Sequence, residues 1–172
     1  MHPEALAFVR QHAPEAPGDT AEVGAFNVNG SPRPLFGAAA SYTGYDIRPG
    51  RGVDEVRDVS GWRAQPRYDT VVSTETLEHA KDAAALVGGM ARMLKAGGLL
   101  ILTAAAPERT PHGNNGGALG TGEPYAGVDP RDLRRWLREA GLTGVEVTHH
   151  AKRGDVYAVA RKPAATAAKD EA

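Results

Sequence analysis

The chain has 172 residues, of which 41% are hydrophobic and 24% charged, and its formal net charge is −1. This length and composition fit one globular domain and leave too little chain for two. The absence of cysteine excludes disulfides, thiolate metal sites and a cysteine nucleophile. The near-neutral charge gives no general attraction to a polyanion, so we do not expect a nucleic-acid partner.

The two ends of the chain carry weak patterns. The first residues have neither a basic start nor an apolar run, so we expect no signal peptide. No apolar stretch approaches the roughly 20 residues that span a bilayer, so we expect no membrane contact. With the absent cysteines, this predicts a cytoplasmic protein. Residues 1–163 are predicted to form the domain, and the alanine-rich and charged segment 164–172 is predicted to be a disordered tail.

Strand-like and helix-like segments alternate after a short first helix, which is predicted at about Pro3 to His12. Strands are expected at 21–24, 42–47, 53–59, 68–73 and 99–103. An amphipathic helix precedes the last of these strands, with its apolar face at Ala83, Leu86, Val87, Met90 and Leu94. The pair Gly97-Gly98 is predicted to end this helix. The apolar run at 99–103 is typical of a strand buried on both faces.

The last third of the chain predicts one helix and a hairpin. Asp129 is a suitable N-cap, Pro130 suits the first helical position, and Gly141 suits the helix end. Strands at 145–148 and 156–160 are separated by a polar turn, which predicts an antiparallel hairpin. The chain therefore predicts a Rossmann-like α/β three-layer sandwich, with a mostly parallel seven-stranded sheet that ends in an antiparallel hairpin. Nicotinamide-binding domains normally continue in parallel instead.

Two features at the ends of the first two strands favour an adenosine ligand. Gly24 follows the first strand, where a glycine lets the backbone approach a ligand and the helix expected next would offer free N–H groups. Asp46 ends the second strand, where a carboxylate can accept hydrogen bonds from both ribose hydroxyls. The sequence lacks the glycine triplet that would hold a pyrophosphate. Adenosine without a pyrophosphate describes S-adenosylmethionine (SAM) better than NAD.

At this point the sequence resembles the class I SAM-dependent methyltransferases, in the broad small-molecule group often called type 11. The resemblance runs from about Glu22 to Pro163. The first motif matches at Glu22-x-Gly24, with Phe26 in place of its second glycine. The most specific blocks are YDTVVSTETLEH at 68–79 and MLKAGGLL at 93–100.

The resemblance implies a SAM site at the carboxyl ends of the first four strands. Asp46 would hold the ribose and Asp58 would receive the adenine amino group. Ile47 and Val59 would enclose the adenine ring. The implied cofactor-binding residues are Glu22, Gly24, Ala25, Phe26, Asn29, Asp46, Ile47, Asp58, Val59, Ser73 and Thr74.

The protein must align an acceptor with the methyl group of SAM, exclude water and, for some acceptors, remove a proton. Glu75 and His79 follow the fourth strand and His112 follows the fifth, so these three are the predicted catalytic residues. A second interpretation is that Glu78 and His79 only begin the next helix and anchor its loop. The irregular segment 104–128 is interpreted as a lid over the acceptor, with His112 and Tyr125 as contacts.

No residue is assigned to a metal, although Glu75, Glu78, His79 and His112 could together bind a divalent cation, and this alternative stays open. The predicted function is transfer of a methyl group from SAM to an O, N or C atom of a small molecule, with S-adenosylhomocysteine (SAH) as product. The protein is expected to be a monomer or homodimer. Two alternatives remain: a nucleic-acid or protein methyltransferase that needs a partner, and a SAM-binding accessory or regulatory module without catalysis.

Overall fold

The structure is a computed structural model that describes residues 2–165. The described chain contains three α-helices, α1 (Pro3–His12), α2 (Ala83–Met93) and α3 (Pro130–Glu139). Its strands are β1 (Asp19–Val23), β2 (Ser41–Asp46), β3 (Glu55–Val56), β4 (Tyr68–Thr74), β5 (Leu94–Ala105), β6 (Thr143–His150) and β7 (Asp155–Arg161). The tail predicted at 164–172 lies outside the described residues from position 166 onward. None of the described helices has the length and apolar character needed to cross a membrane.

All seven strands form one sheet, in the order β3-β2-β1-β4-β5-β7-β6. The pairs from β3 to β5 are parallel, whereas β7 runs antiparallel to both β5 and β6. This confirms the predicted mostly parallel sheet with a terminal antiparallel hairpin. The strand order reverses between β1 and β4, and a crevice for ligands is expected at the carboxyl ends of such neighbours.

Helices cover both faces of the sheet. Alternate residues of β5 point to opposite sides, so Leu100 and Leu102 join the core beneath α2 and α3, while Leu99 and Ile101 join the core beneath α1. The core on the α2 and α3 side is the larger one. On the other face, Val9 of α1 anchors a smaller cluster.

Both of the longer helices after β4 begin at an aspartate cap, of which only that of α3 was predicted. Asp82 caps α2 by accepting a hydrogen bond from the backbone N–H of Ala85, at 2.8 Å. Asp129 caps α3 by accepting one from Arg131 at 2.7 Å, and Pro130 occupies the first helical position.

Two predicted boundaries are wrong. The strand expected at 53–59 is only the two residues of β3, because Asp58 caps a short 3-10 helix, Val59–Gly61, by accepting a hydrogen bond from Ser60. Helix α2 ends at Met93 rather than at Gly97-Gly98. Leu94 is already extended and pairs with Tyr68, so the two glycines lie within β5.

The α-helix expected after Gly24 is also absent from the described chain. An irregular turn follows β1 instead and leads into a single 3-10 helix, Arg33–Phe36. Two prolines, Pro32 and Pro34, lie in this segment and remove the N–H donors that an α-helix would need. The backbone around Gly24 therefore lacks the helix N-terminus that the sequence predicted.

Candidate functional site

Two adjoining cavities lie at the carboxyl ends of β1, β2 and β4, where the strand order reverses. The smaller has a volume of about 280 Å³ and the larger about 530 Å³. The residues that line both are Gly24, Phe26, Glu75, His79 and Asn114. The cavities are thus two parts of one groove, in the size range of small-molecule sites.

Gly24 sits at the junction of the two cavities and its position requires glycine. Its φ of +80° lies in the left-handed region. A Cβ atom there would overlap the Thr76 hydroxyl, so the β1 turn and the chain after β4 approach closely. The Gly24 N–H donates to the Tyr45 carbonyl at 2.9 Å, which ties the turn to β2.

Asp46 and Phe26 explain how the turn forms without a second glycine. One carboxylate oxygen of Asp46 accepts the backbone N–H of Phe26 at 3.2 Å, and the other accepts that of Arg48 at 3.1 Å. The Phe26 ring packs where a Cβ of Gly50 would lie, and the Arg48 guanidinium stands 4.8 Å from the ring centroid. Phe26 is therefore part of the wall between the cavities.

The larger cavity carries an apolar surface beside polar groups. Ile47 is 68% exposed and lines this cavity with Val59 and Asp58. Arg48 donates to the Asn114 side chain at 3.0 Å, which connects the cavity rim to the segment after β5. A flat apolar ring with polar edges would suit this combination.

Glu22 lines the smaller cavity and is almost fully buried. Its carboxylate accepts hydrogen bonds from the Tyr42 hydroxyl at 2.8 Å and the Ser31 hydroxyl at 3.2 Å. Burial raises the pKa of Glu22 to about 7, and the two hydrogen bonds and Arg33 oppose that rise in part. Asn29 and Thr74 lie on the same cavity.

Glu75 has a strained backbone directly after β4. Its φ of 51° is in the left-handed region, which a residue other than glycine rarely adopts. Arg109 contacts one carboxylate oxygen of Glu75 at 3.4 Å and also pairs with the buried Asp155. The other oxygen, Oε1, is buried without a hydrogen-bond partner. Strain of this kind persists where the surrounding structure fixes it, commonly at functional sites.

Beside Glu75, one carboxyl group and three rings form a cluster. The ring centroids of His79, His112 and Tyr125 lie 5.0–5.3 Å apart. Glu78 is fully buried next to them, and burial, with a smaller contribution from Glu75, raises the pKa of Glu78 to about 8. Burial and then His112 lower the pKa of His79, which keeps this imidazole neutral at pH 7.

The groove brings together most of the predicted site residues. Glu22, Gly24, Phe26, Asn29, Asp46, Ile47, Asp58, Val59 and Thr74 line one or both cavities, as do the predicted catalytic residues Glu75, His79 and His112. Ala25 and Ser73 line neither. Both are buried, and the Ser73 hydroxyl donates to the Val23 carbonyl at 2.8 Å, so it joins β4 to β1.

The sequence reasoning missed several lining residues, among them Arg109, His2 and Arg48. Arg109 follows β5 and contacts Glu75, and His2 reaches the smaller cavity from the start of α1. Arg48 follows Asp46 in the larger cavity. Arg48 and Arg109 come just after the carboxyl ends of parallel strands, a position that could have identified both. His2 carried no such signal.

Comparison with known proteins identifies the fold. The Burkholderia thailandensis 1,6-didemethyltoxoflavin-N1-methyltransferase, solved with 1,6-didemethyltoxoflavin and SAH, is 15% identical, with a TM-score of 0.66 over 94% of this chain and 77% of that one. N-methyltransferase NodS from Bradyrhizobium japonicum, also solved with SAH, is 19% identical, with a TM-score of 0.66 over 93% of this chain and 85% of that one. A search of curated proteins by sequence finds no match.

A third structure is longer than this chain. The phosphoethanolamine N-methyltransferase 2 of Haemonchus contortus, solved with phosphomonomethylethanolamine and SAH, is 14% identical, with a TM-score of 0.69. The alignment covers 93% of this chain but 52% of that enzyme, so this chain spans about half its length.

The sheet order and the groove define a protein with the class I methyltransferase fold. Residues 31–147 match a family described as a methyltransferase domain, which is more than half of the chain. The chain belongs to this methyltransferase domain family and is a SAM-dependent methyltransferase. The resemblance found in the sequence is thereby confirmed.

Proposed function

We propose that this chain holds the adenosine of SAM in the larger cavity and its methionine end in the smaller one, and that it methylates a small molecule. The observation that supports this most is the meeting of the two cavities at Gly24 and Glu75, where the strand order reverses. A ligand with an apolar ring at one end and a charged chain at the other fits a groove of this form.

The larger cavity offers a contact for each part of an adenosine. Asp46 ends β2 and can accept from the ribose hydroxyls, while its carboxylate stays fixed by the N–H groups of Phe26 and Arg48. The exposed Ile47 offers an apolar face to the adenine, with Val59 on the same cavity. Asp58 lines the cavity beside them and can accept from the adenine amino group.

The smaller cavity suits the methionine end. Glu22 supplies a carboxylate for the amino group, and Asn29 and Thr74 supply polar groups near it. An ammonium group close to Glu22 would favour its charged form and lower its pKa from about 7. SAM binding and ionisation of Glu22 are therefore linked.

The volume of the smaller cavity favours a small acceptor. The cavity measures about 280 Å³, and the methionine end takes part of it. The remaining wall is formed by Glu75, His79, Arg109 and His112. The acceptors in the two complexes described above, 1,6-didemethyltoxoflavin and phosphomonomethylethanolamine, are also small molecules.

In the transfer, a lone pair of the acceptor forms a bond to the methyl carbon, and the carbon–sulfur bond breaks with its electrons moving to sulfur, which yields SAH. An acceptor O–H or N–H then loses a proton. Glu75 and His79 lie where the two cavities meet, and the lowered pKa of His79 keeps it available as a proton acceptor at neutral pH.

Calorimetric titration with SAH, SAM and NAD tests the assignment of the cofactor. We expect SAH to bind with a dissociation constant in the micromolar range and NAD not to bind. Asp46→Asn should weaken SAH binding at least about 10-fold, or 1.4 kcal/mol. The matched control is Asp129→Asn, because Asp129 also holds a backbone N–H, that of Arg131 at 2.7 Å, but lines neither cavity. Folded protein that binds NAD, or fails to bind SAH, would contradict the proposal.

A further inference from the structure

Glu78, His79 and His112 bring three potential metal ligands together. One ligand atom from each residue lies within 4.8 Å of the other two. Glu78 and His79 belong to a short 3-10 helix, Leu77–His79, whereas His112 comes from the segment after β5. Two parts of the chain that are distant in sequence thus converge on one point. Small side-chain rotations would let all three atoms reach one ion at the roughly 2.0–2.2 Å of a metal–ligand bond.

Three polar atoms of this cluster, on Glu78 and His79, are buried without a well-formed hydrogen bond. Glu78 is 0% exposed, and neither of its carboxylate oxygens reaches a well-formed hydrogen bond, although the backbone N–H groups of Glu78 and Ala105 lie near enough to oppose the rise of its pKa in part. The Nδ1 atom of His79 is also buried and unpartnered. Buried carboxylates are normally paired with a cation or coordinate a metal, because desolvation without compensation is costly. The donor set itself therefore points to a positively charged ligand.

His112 is oriented as a metal-binding histidine would be. Its Nδ1 atom lies 3.1 Å from the Thr110 carbonyl oxygen. A carbonyl can only accept, so Nδ1–H donates and the lone pair remains on Nε2. Metal-ligating histidines commonly fix their tautomer by a hydrogen bond of this kind.

Glu75 is not a member of this group. Its carboxylate contacts Arg109 at 3.4 Å, and the cluster of mutually close ligand atoms contains only Glu78, His79 and His112. The four-residue arrangement considered from the sequence is thereby reduced to three. The Tyr125 ring packs against both imidazoles, and its buried hydroxyl has no partner either.

We propose that Glu78, His79 and His112 form a binding site for one divalent transition-metal ion. Two imidazoles and one carboxylate suit ions such as Zn²⁺, Co²⁺ or Mn²⁺, whereas Mg²⁺ and Ca²⁺ prefer sets of oxygen ligands. Three protein ligands leave at least one coordination position open. His79 and His112 also line the smaller cavity, so an ion held by them would lie beside the position proposed for the acceptor.

A metal at this position would have two effects on the chain. It would tie the segment that carries His112 to the 3-10 helix after β4, and so fix one wall of the smaller cavity. It would also present a Lewis acid to an oxygen or nitrogen atom of the acceptor. Because the ion would occupy the lone pair of His79, Glu75 would then be the proton acceptor in the metal-bound protein. The ion would neutralise Glu78, which the described chain leaves without a counter-ion at hydrogen-bonding distance.

Titration of chelator-treated, tag-free protein with Co²⁺ tests the site directly. We expect one Co²⁺ per chain, seen by visible absorption and calorimetry, with micromolar or tighter affinity. Glu78→Gln and His112→Ala should each weaken binding at least about 100-fold. His149→Ala is the matched control, because His149 forms an exposed pair with Glu108 at 3.1 Å outside both cavities. This variant should bind Co²⁺ as the wild type does.

The site would be disproved by wild-type protein that binds no stoichiometric Co²⁺, Zn²⁺ or Mn²⁺, or by metal binding that survives both Glu78→Gln and His112→Ala. Circular dichroism of each variant establishes that it is folded, and His112→Ala alters only a half-buried side chain. SAH titration of the same samples keeps the two proposals separate. Protein that binds SAH but no metal leaves the proposed function intact, whereas protein that binds metal but no SAH does the reverse.

Discussion

The carboxyl groups of the groove differ in how they are satisfied. On the side proposed for the cofactor, the carboxylates of Glu22, Asp46 and Asp58 all accept hydrogen bonds from the protein. Around the position proposed for the acceptor, Glu75 and Glu78 have buried carboxylate oxygens without a partner, as do His79 Nδ1 and the hydroxyl of the neighbouring Tyr125. Both sides lie at the same edge of one sheet, so the difference is not a matter of position in the fold.

This difference indicates that the two sides are stabilised in different ways. Groups that the backbone already holds are preorganised, and they bind a ligand without losing further conformational freedom. Unsatisfied buried groups instead lower the stability of the free protein, and the protein regains that stability when a ligand or ion binds them. We therefore expect mutations on the cofactor side to change binding through loss of structure, and those on the acceptor side to trade stability against function.

The largest effect is expected for Gly24→Ala. A Cβ there would overlap Thr76, and alanine would have to keep a left-handed φ of +80°, so the turn must move away from the ligand. We expect SAH affinity to fall at least about 1,000-fold, or 4 kcal/mol, by calorimetry. Gly97→Ala is the control: its φ is +81°, but a Cβ there meets nothing within 4 Å. It should cost about 1–2 kcal/mol of stability and leave SAH affinity unchanged. Equal losses of affinity in both variants would refute the steric explanation.

A smaller effect, of about 3 kcal/mol, is expected in the pH dependence of stability. The pKa of Glu22 is about 7 in the folded chain against 4.5 ordinarily, so the protonated form is favoured by folding. The contribution of protonated Glu22 to the free energy of unfolding is complete below pH 4.5 and is lost as the pH rises through 7. Tyr42, Ser31 and Arg33 favour the charged form, and Asp54 opposes it.

Glu22→Gln removes this titration and leaves every other group in place. The stability of the wild type relative to this variant should therefore fall between pH 4.5 and 7.5, as measured by urea denaturation. A constant difference across this range would show that Glu22 ionises as an ordinary carboxyl group.

The sharpest test of the comparison is a pair of substitutions that should each change the free energy of unfolding by about 2 kcal/mol, with opposite sign. Glu22→Met should destabilise the protein, because the Tyr42 and Ser31 hydroxyls lose their acceptor. Glu78→Met should stabilise the metal-free protein, because it replaces an unpaired buried carboxyl with an apolar side chain of similar length. Urea denaturation in the presence of EDTA measures both. Destabilisation by both variants would mean that the two sides do not differ.

The strands and helix caps could be predicted because their signals are local. The apolar run at 99–103 predicts a strand and the Asp129-Pro130 pair predicts a helix start, each from a few neighbouring residues. The turn after β1 could not be predicted in the same way. It is held by Asp46 and by the space at Gly50, both of which come from later in the chain. Long-range contacts of this kind leave no periodic pattern in a single sequence.

The candidate site was predictable in its location but not in its internal pairing. The carboxyl ends of the parallel strands identified Asp46, Glu75 and His79, whereas the contact of Glu75 with Arg109 depends on the chain after β5. Ser73 was predicted to line the cofactor site, yet it binds the Val23 carbonyl, while Thr74 lines the smaller cavity. Neighbouring residues of a strand point in opposite directions, and this alternation could have separated the two.

Helix α1 covers one face of the sheet and also reaches the groove. Its Phe8 ring lies 4.9 Å from that of Tyr157, and His2 Nε2 lies 2.6 Å from the Arg109 guanidinium. The core beneath it is much smaller than the one beneath α2 and α3, so detaching α1 as a unit exposes less apolar surface than detaching α2 or α3. Such a local opening withdraws His2 from the wall of the smaller cavity. A ligand that is bound there and needs this wall raises the free energy of opening by up to RT ln(1 + [L]/Kd). Binding of a ligand in the smaller cavity should therefore slow amide hydrogen exchange in α1, although the cavity lies outside this helix.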